Sequence, residues 1–269
     1  MEIDNVLFFD TETTGIPARG AKWEEDYLDF PHIVQIAWAF GPIEESFVVL
    51  PDNWEIPEEA VKIHGITNEE ARRFGVPFKE VIEKFVGDCL SAGLIAAHNI
   101  HFDTSIVKAN VLRELGREWY DSYRVEDALF KGKRIDTMQP SMKWVDARTQ
   151  DGRLKFPKLE ELYSRCFPGE TYPAHDAWQD VLAVKRCLPI LVEKGIVKLE
   201  VKEYPEDAAK KVSEAFGKRL AKKASQEKAE RGEMTIPFPK NNKSTIPEPM
   251  CGNSRDLDKI TELLSQDDF

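Results

Sequence analysis

Cysteine is scarce in this chain and nowhere closely paired. Cys89, Cys166, Cys187 and Cys251 form no CxxC and no zinc-like spacing. That excludes a disulfide framework and a zinc ribbon, and suits reduced thiols in a cytoplasmic protein. Long hydrophobic runs are missing as well: no stretch reaches the roughly 20 apolar residues a spanning helix needs. The opening residues, "MEIDNVLFF", are acidic and carry no small-residue cleavage site, so no secretory leader and no membrane partner are expected. Positive charge is also in deficit. With 37 Lys and Arg against 48 Asp and Glu, the net charge of −11 argues against a protein that coats nucleic acid by bulk attraction. The imbalance sits in residues 1–200, because residues 201–269 carry 13 basic and 13 acidic side chains.

What is present is a 269-residue chain that is 42% hydrophobic, enough for one large α/β domain and an appendage. Val6–Asp10, His32–Phe40 ("HIVQIAWAF") and Glu45–Leu50 ("ESFVVL") read as strands, with Gly41-Pro42 turning the second into the third. Pro57 opens a short helix that ends near "HGIT", and Pro77 opens a longer one. Phe78, Val81, Ile82, Phe85, Val86 and Leu90 make the apolar face of that second helix. "GLIAAHN" reads as a buried strand, "FDTSIVKANVLRELG" as a helix closed by Gly116, "RIDTM" as a fifth strand and "KLEELYSRCF" as a helix. A last helix runs from Asp176 to about Lys194, with a kink expected at Pro189. Three adjacent strands followed by alternating strands and helices predict a mixed sheet with helices on both faces. Past Leu199 the chain turns Ala/Lys/Glu-rich and then Pro-punctuated. Residues 1–199 are therefore expected to form the main domain, and 200–269 a charged helical extension, a linker and a short amphipathic end.

Acids fall at the edges of the apolar elements. Asp10 and Glu12 close the first strand, Asp103 follows the strand "LIAA", and Asp180 lies on the first turns of the last helix, five residues after His175. Residues i and i+2 of a strand share a face, so Asp10 and Glu12 repel one another where desolvation is costly. Four carboxylates around one point suit a pair of hard divalent cations. Two such ions ~3.5–4 Å apart clamp the attacking and leaving oxygens of a phosphoryl displacement, and a nearby imidazole can take the proton of the attacking water.

"DTETTG" (Asp10–Gly15), "HNIHFD" (His98–Asp103) and "HDAWQD" (His175–Asp180) resemble the three exonuclease motifs of the DnaQ-like DEDDh family. That family includes the proofreading subunits of bacterial replicative polymerases, ribonuclease T and mammalian 3′ repair exonucleases. "HGIT" (His64–Thr67), "IDT" (Ile135–Thr137) and "LEEL" (Leu159–Leu162) match its supporting text, and the likeness spans roughly residues 5–193. It implies a ribonuclease-H-like α/β fold and 3′→5′ removal of nucleotides with Mg²⁺ or Mn²⁺ on Asp10, Glu12, Asp103 and Asp180. His175 matches the general base; the tyrosine branch wants its base at position 176, which is Asp here. By the same resemblance, Thr13, Thr14, His64, Asn99 and Phe102 contact the substrate, Thr13 and Thr14 partly through backbone N–H groups. His98 and His101 are expected to be structural.

Residues 16–31 make a long connection anchored by Trp23, Tyr27 and Phe30, either a flap near the active-site mouth or a loop covering a sheet edge. Residues 140–158 bring Lys143, Arg148, Arg153, Lys155 and Lys158 into a loop that either guides the strand or is simply solvated. From Lys210 to Arg231 the tail carries eight basic and three acidic residues, a face able to hold a nucleic-acid backbone. Its end, "DLDKITELLSQDDF", loosely resembles the acidic tips with which single-stranded-DNA-binding proteins recruit partners, which points to a replication or repair protein. The leading expectation is removal of nucleotides from DNA 3′ ends in proofreading or repair. RNA trimming and a catalytically silent binding module are the alternatives.

Overall fold

The segment "VLFFDTET" directs its side chains alternately to two faces, and its first four residues are apolar on both, so it needs cover on both sides. In the computed structural model, which describes residues 5–199, that cover is provided. Five strands form one sheet: β1 (Val6–Thr13), β2 (Ile33–Phe40), β3 (Ile43–Val48), β4 (Leu94–Ala97) and β5 (Arg134–Asp136). Their order is β3-β2-β1-β4-β5. The β1–β2 and β2–β3 pairs are antiparallel, whereas β1–β4 and β4–β5 are parallel. The helices are α1 (Trp23–Asp26), α2 (Glu58–His64), α3 (Asn68–Phe74), α4 (Phe78–Ser91), α5 (Ile100–Ser122), α6 (Val125–Ala128), α7 (Met138–Val145), α8 (Leu159–Cys166) and α9 (Ala177–Glu193). This is the mixed α/β sheet of the ribonuclease-H-like fold.

Two cores follow from the alternation. Leu7 and Phe9 pack with Val81, Ile82 and Phe85 of α4 and Ile106 and Val107 of α5. Val6 and Phe8 pack with Leu162 of α8 and Val181, Val184 and Leu188 of α9. Asp10 and Glu12 share the parity of Val6 and Phe8, so they face the α9 side; Thr11 faces the α5 side. That division sets up the site.

Several elements differ from the sequence expectation. β1 continues three residues past Asp10, because pairing with β2 holds Thr11, Glu12 and Thr13 in the ladder, with an irregularity between Glu12 and Thr13. The helix expected to close at Gly116 breaks there (φ 78°, ψ 171°), but the chain re-enters helix as far as Ser122. α9 keeps close to its expected span, with Pro189 inside it. α3 was not anticipated, although Thr67 and Glu70 form a reciprocal capping box at its start. Nor was α7, which takes up the first part of the supposed 140–158 loop and carries Pro140 in its first turn, where a missing N–H costs nothing. In the rest of that loop Arg148 pairs with Asp146 (2.6 Å), Arg153 with Asp151 (2.6 Å) and Lys155 with Glu161 (2.8 Å), so much of its positive charge is neutralised locally.

Residues 16–31 are anchored on α5. Trp23 stacks on Tyr120 of α5 (6.1 Å between ring centroids), Lys108 Nζ lies 4.8 Å from the Trp23 ring, and Phe30 is buried. Asn110 donates to Pro31 O and accepts from the Ile33 N–H, which grips the entry to β2. Among the described residues no helix is long and apolar enough to cross a membrane, and Cys89, Cys166 and Cys187 are free. The extension expected over residues 200–269, with its basic helix, linker and partner-binding tip, lies outside the described residues.

Phe85 is fully buried between Phe9 (5.2 Å) and Trp38 (5.4 Å). Phe85→Ala is expected to cost about 3–5 kcal/mol, the range for deleting a core aromatic ring. Denaturant unfolding measures it; a loss below about 1 kcal/mol would mean the α4 face is not integral to the core.

Candidate active site

The C-terminal half of β1 carries Asp10 and Glu12 into the seam where α9 crosses the sheet. Asp180, on the first turns of α9, completes the group. One carboxylate oxygen from each of Asp10, Glu12 and Asp180 lies within 4.8 Å of the other two. Asp103 approaches from the other side of the strand. It is buried in the first turn of α5, and its Oδ1 accepts from the Thr11 hydroxyl (2.8 Å) and the Thr11 N–H (3.2 Å). It does not cap the helix, since the N-cap residue is Asn99.

The electrostatics are those of a site waiting for positive charge. Burial, then Asp103, Asp180, Glu12 and Asp176, push the Asp10 carboxyl well above the usual range. Burial, then Asp180, Asp103 and Asp176, push Glu12 up to about 8. Asp103 is raised to about 7 by burial, with Thr11 opposing. Asp180 is raised to about 6 by burial, with the Tyr172 hydroxyl and His175 pulling the other way. Asp180 Oδ1 and the Tyr172 hydroxyl are both buried side by side, and neither has a well-formed hydrogen bond. An all-oxygen donor set with an orphaned buried oxygen fits a hard divalent cation such as Mg²⁺ or Mn²⁺.

The other expected residues are placed less uniformly. His175 sits just before α9 in a left-handed conformation (φ 67°), its imidazole half exposed with Nε2 3.5 Å from Glu160 Oε1. Asn99 is also left-handed (φ 71°), and its N–H donates to Asp136 Oδ1 (3.0 Å). Phe102 packs half-buried against the α4–α5 core. The Thr13 hydroxyl donates to Gly15 O. Thr14 is committed elsewhere: its N–H donates to His32 O (3.0 Å) and its hydroxyl accepts from the His32 N–H (2.9 Å). His64 Nδ1 accepts from the Ile66 N–H (3.1 Å), leaving Nε2 a buried donor without a partner, and burial lowers the ring's pKa. The His98 ring bridges Thr137 Oγ1 and Pro157 O at 3.0 Å each, while His101 is exposed at the start of α5.

Three residues that hold the site were not picked out from the sequence. Gln35 Oε1 accepts from the Ala177 N–H (3.2 Å) and so pins the start of α9 to β2. Its signal was a single polar residue inside the apolar run "HIVQIAWAF". Asp136 accepts from the N–H groups of Asn99 and Met138 (3.0 Å each) and Gln139 (3.3 Å), which explains why "IDT" accompanies the motifs. Asp176 caps α9 by accepting from the Gln179 N–H (3.0 Å) and adds a fifth negative charge near Asp10 and Glu12.

Residues 7–188 match the family model RNase_T, described as an exonuclease. The chain belongs to this exonuclease family. No curated protein sequence matches it. Among solved structures it is similar to a moderately thermophilic exonuclease I from Methylocaldum szegediense (20% identity, TM-score 0.53) and to E. coli exonuclease I in complex with a dA16 oligonucleotide (22%, TM-score 0.51). In both cases 70% of this exonuclease-family chain overlies 40% of the other, so it spans well under half of either enzyme. At these identities the likeness establishes the shared fold.

The raised carboxylates carry a pH prediction. Glu12, Asp103 and Asp180 hold protons in the folded state (to about 8, 7 and 6) that the unfolded chain releases near its ordinary values. Their contribution to stability is therefore complete below about pH 4 and is lost as the pH rises toward 8. In EDTA the contribution of these acids is expected to lower the melting temperature progressively from about pH 5 to 8. Added Mg²⁺ is expected to raise the melting temperature more at pH 8 than at pH 5. A melting temperature that ignores Mg²⁺ at pH 8 would remove the metal reading.

Proposed function

We propose that this protein is a metal-dependent 3′→5′ exonuclease that hydrolyses the terminal phosphodiester of single-stranded or frayed DNA. The observation that carries this reading is the half-buried meeting of Asp10, Glu12 and Asp180 within 4.8 Å in a chain of the exonuclease family, with Asp103 behind them. Asp10, Glu12, Asp103 and Asp180 would hold two divalent ions, which when bound supply electrophilic polarisation of the phosphate and acidification of water. His175 takes the proton of the attacking water. Thr13, Thr14 through its hydroxyl hydrogen, the free Nε2 of His64, Asn99 and Phe102 are the candidates for holding the 3′-terminal nucleotide. An acidic domain grips a single strand through metal and stacking contacts rather than through a basic surface. DNA is favoured over RNA because one of the similar folds is an exonuclease I in complex with a dA16 oligonucleotide. The proposal includes cytoplasmic residence, consistent with the free cysteines, and a tail over 200–269 that engages nucleic acid or a replication or repair protein.

The test is release of mononucleotides from matched DNA and RNA oligomers with Mg²⁺, blocked at either end. Release from the 3′ end of DNA is expected; faster release from RNA would make it an exoribonuclease, and release from neither would leave a binding module. Asp10→Ala and Asp180→Ala are each expected to abolish turnover with the fold retained by circular dichroism, and near-normal turnover in either sinks the assignment. His175→Ala is expected to slow the reaction by about 10²–10⁴ while metal and oligomer still bind. A wild-type rate there would assign the base elsewhere.

A further inference from the structure

The four metal-facing acids stand on strand and helix, but His175 does not. It lies on the connection between α8 and α9, in a left-handed backbone conformation that non-glycine residues rarely adopt, with a half-exposed side chain. A general base works only if its nitrogen is held within hydrogen-bond reach of the proton it removes. The neighbouring Asp176 is turned to α9, which it caps at the Gln179 N–H. Glu160, in the first turn of α8, is the carboxylate that meets the imidazole, its Oε1 3.5 Å from Nε2.

Two adjacent glutamates on this helix have separate tasks. Glu161 is spent locally, on Lys155 Nζ (2.8 Å) and the Lys158 N–H (2.8 Å). Glu160 turns instead toward the seam and acts electrostatically on His98, Tyr172 and Asp180 as well as meeting His175. Its platform is rigid. Leu159 and Leu162 bury the inner face of α8 against the α9 core, and His98 ties Pro157, just before the helix, to the turn that leads into α5.

We propose that Glu160 is a positioning residue for His175. The proposal rests on the exonuclease reading above. With Nε2–H directed at Glu160, Nδ1 is left unprotonated and available. The attacking water gives its proton to Nδ1 as its oxygen bonds to phosphorus, the bond from phosphorus to the leaving oxygen breaks, and that oxygen takes a proton from solvent. The imidazolium formed at that moment lies against the Glu160 carboxylate, which stabilises it where charge develops. Both partners are too exposed for their ion pair to add much stability, so the pair's effect belongs to the reaction.

A double-mutant cycle on the full chain with Mg²⁺ and the better of the two oligomers tests this under single-turnover conditions, with kcat and KM measured for the single variants. Glu160→Gln is expected to lower kcat by about 10- to 100-fold with KM and melting temperature unchanged. In the His175→Ala background the same change is expected to alter the rate by less than about 2-fold, because the group it positions is gone. Glu160→Asp, which keeps the charge on a shorter arm, is expected to recover part of the loss. A wild-type kcat for Glu160→Gln, or an equal loss with and without His175, would overturn the proposal. If His175→Ala itself runs at the wild-type rate, the failure lies with the base assignment; if wild-type protein releases nothing, it lies with the exonuclease reading.

Discussion

Mutual repulsion among buried carboxylates is the constraint around which this molecule is arranged. An exposed strand end would be an easier place for Asp10 and Glu12 than the face toward α9. Yet they share the face of Val6 and Phe8, which the α8–α9 layer covers, and Asp180 is brought down onto them. Burial and the neighbouring acids together raise the proton affinity of Asp10 and Glu12. The energy that keeps them together comes from elsewhere, from two apolar cores on opposite faces of one sheet.

The groups that aim the acids bind mostly to backbone. Gln35 holds the first N–H of α9, Thr11 donates to Asp103 from inside β1, and Asp136 joins the Asn99 N–H before α5 to the Met138 and Gln139 N–H groups that open α7. Asn110 secures the entry to β2, and Arg113 donates to Phe30 O (2.6 Å). A backbone anchor of this kind fixes where an element begins, and so where its first-turn side chains arrive. The left-handed residues Asn99 and His175 lie at those helix starts, where strain is tolerated because flanking contacts determine the path of the chain.

The charge distribution follows the same logic. Residues 1–200, which hold the whole net charge of −11, repel a polyanion at long range, and Arg148, Arg153 and Lys155 are paired with local acids. On the proposed function, attraction at the centre would depend on cations held by the acids, which would couple affinity for nucleic acid to affinity for metal.

Local pattern was enough to determine much of this protein. Short apolar runs bounded by turn residues marked all five strands, the Phe78–Leu90 stripe marked α4, and acids at the ends of apolar elements marked the acidic cluster. The period-two rule also put Asp10 and Glu12 on one face. Tertiary structure alone decided which face that was, because only strand order and helix placement say that α9 lies there. It alone extended β1 to Thr13, through pairing with β2. It engaged the Thr14 N–H with His32, set residues 16–31 against α5, and neutralised the 146–155 charges by short-range pairs. Gln35, Asp136 and Glu160 were illegible for a common reason. A residue that orients another carries no spacing rule, since its partner is set by the packing of elements distant in sequence: Gln35 and Ala177 meet across 142 residues.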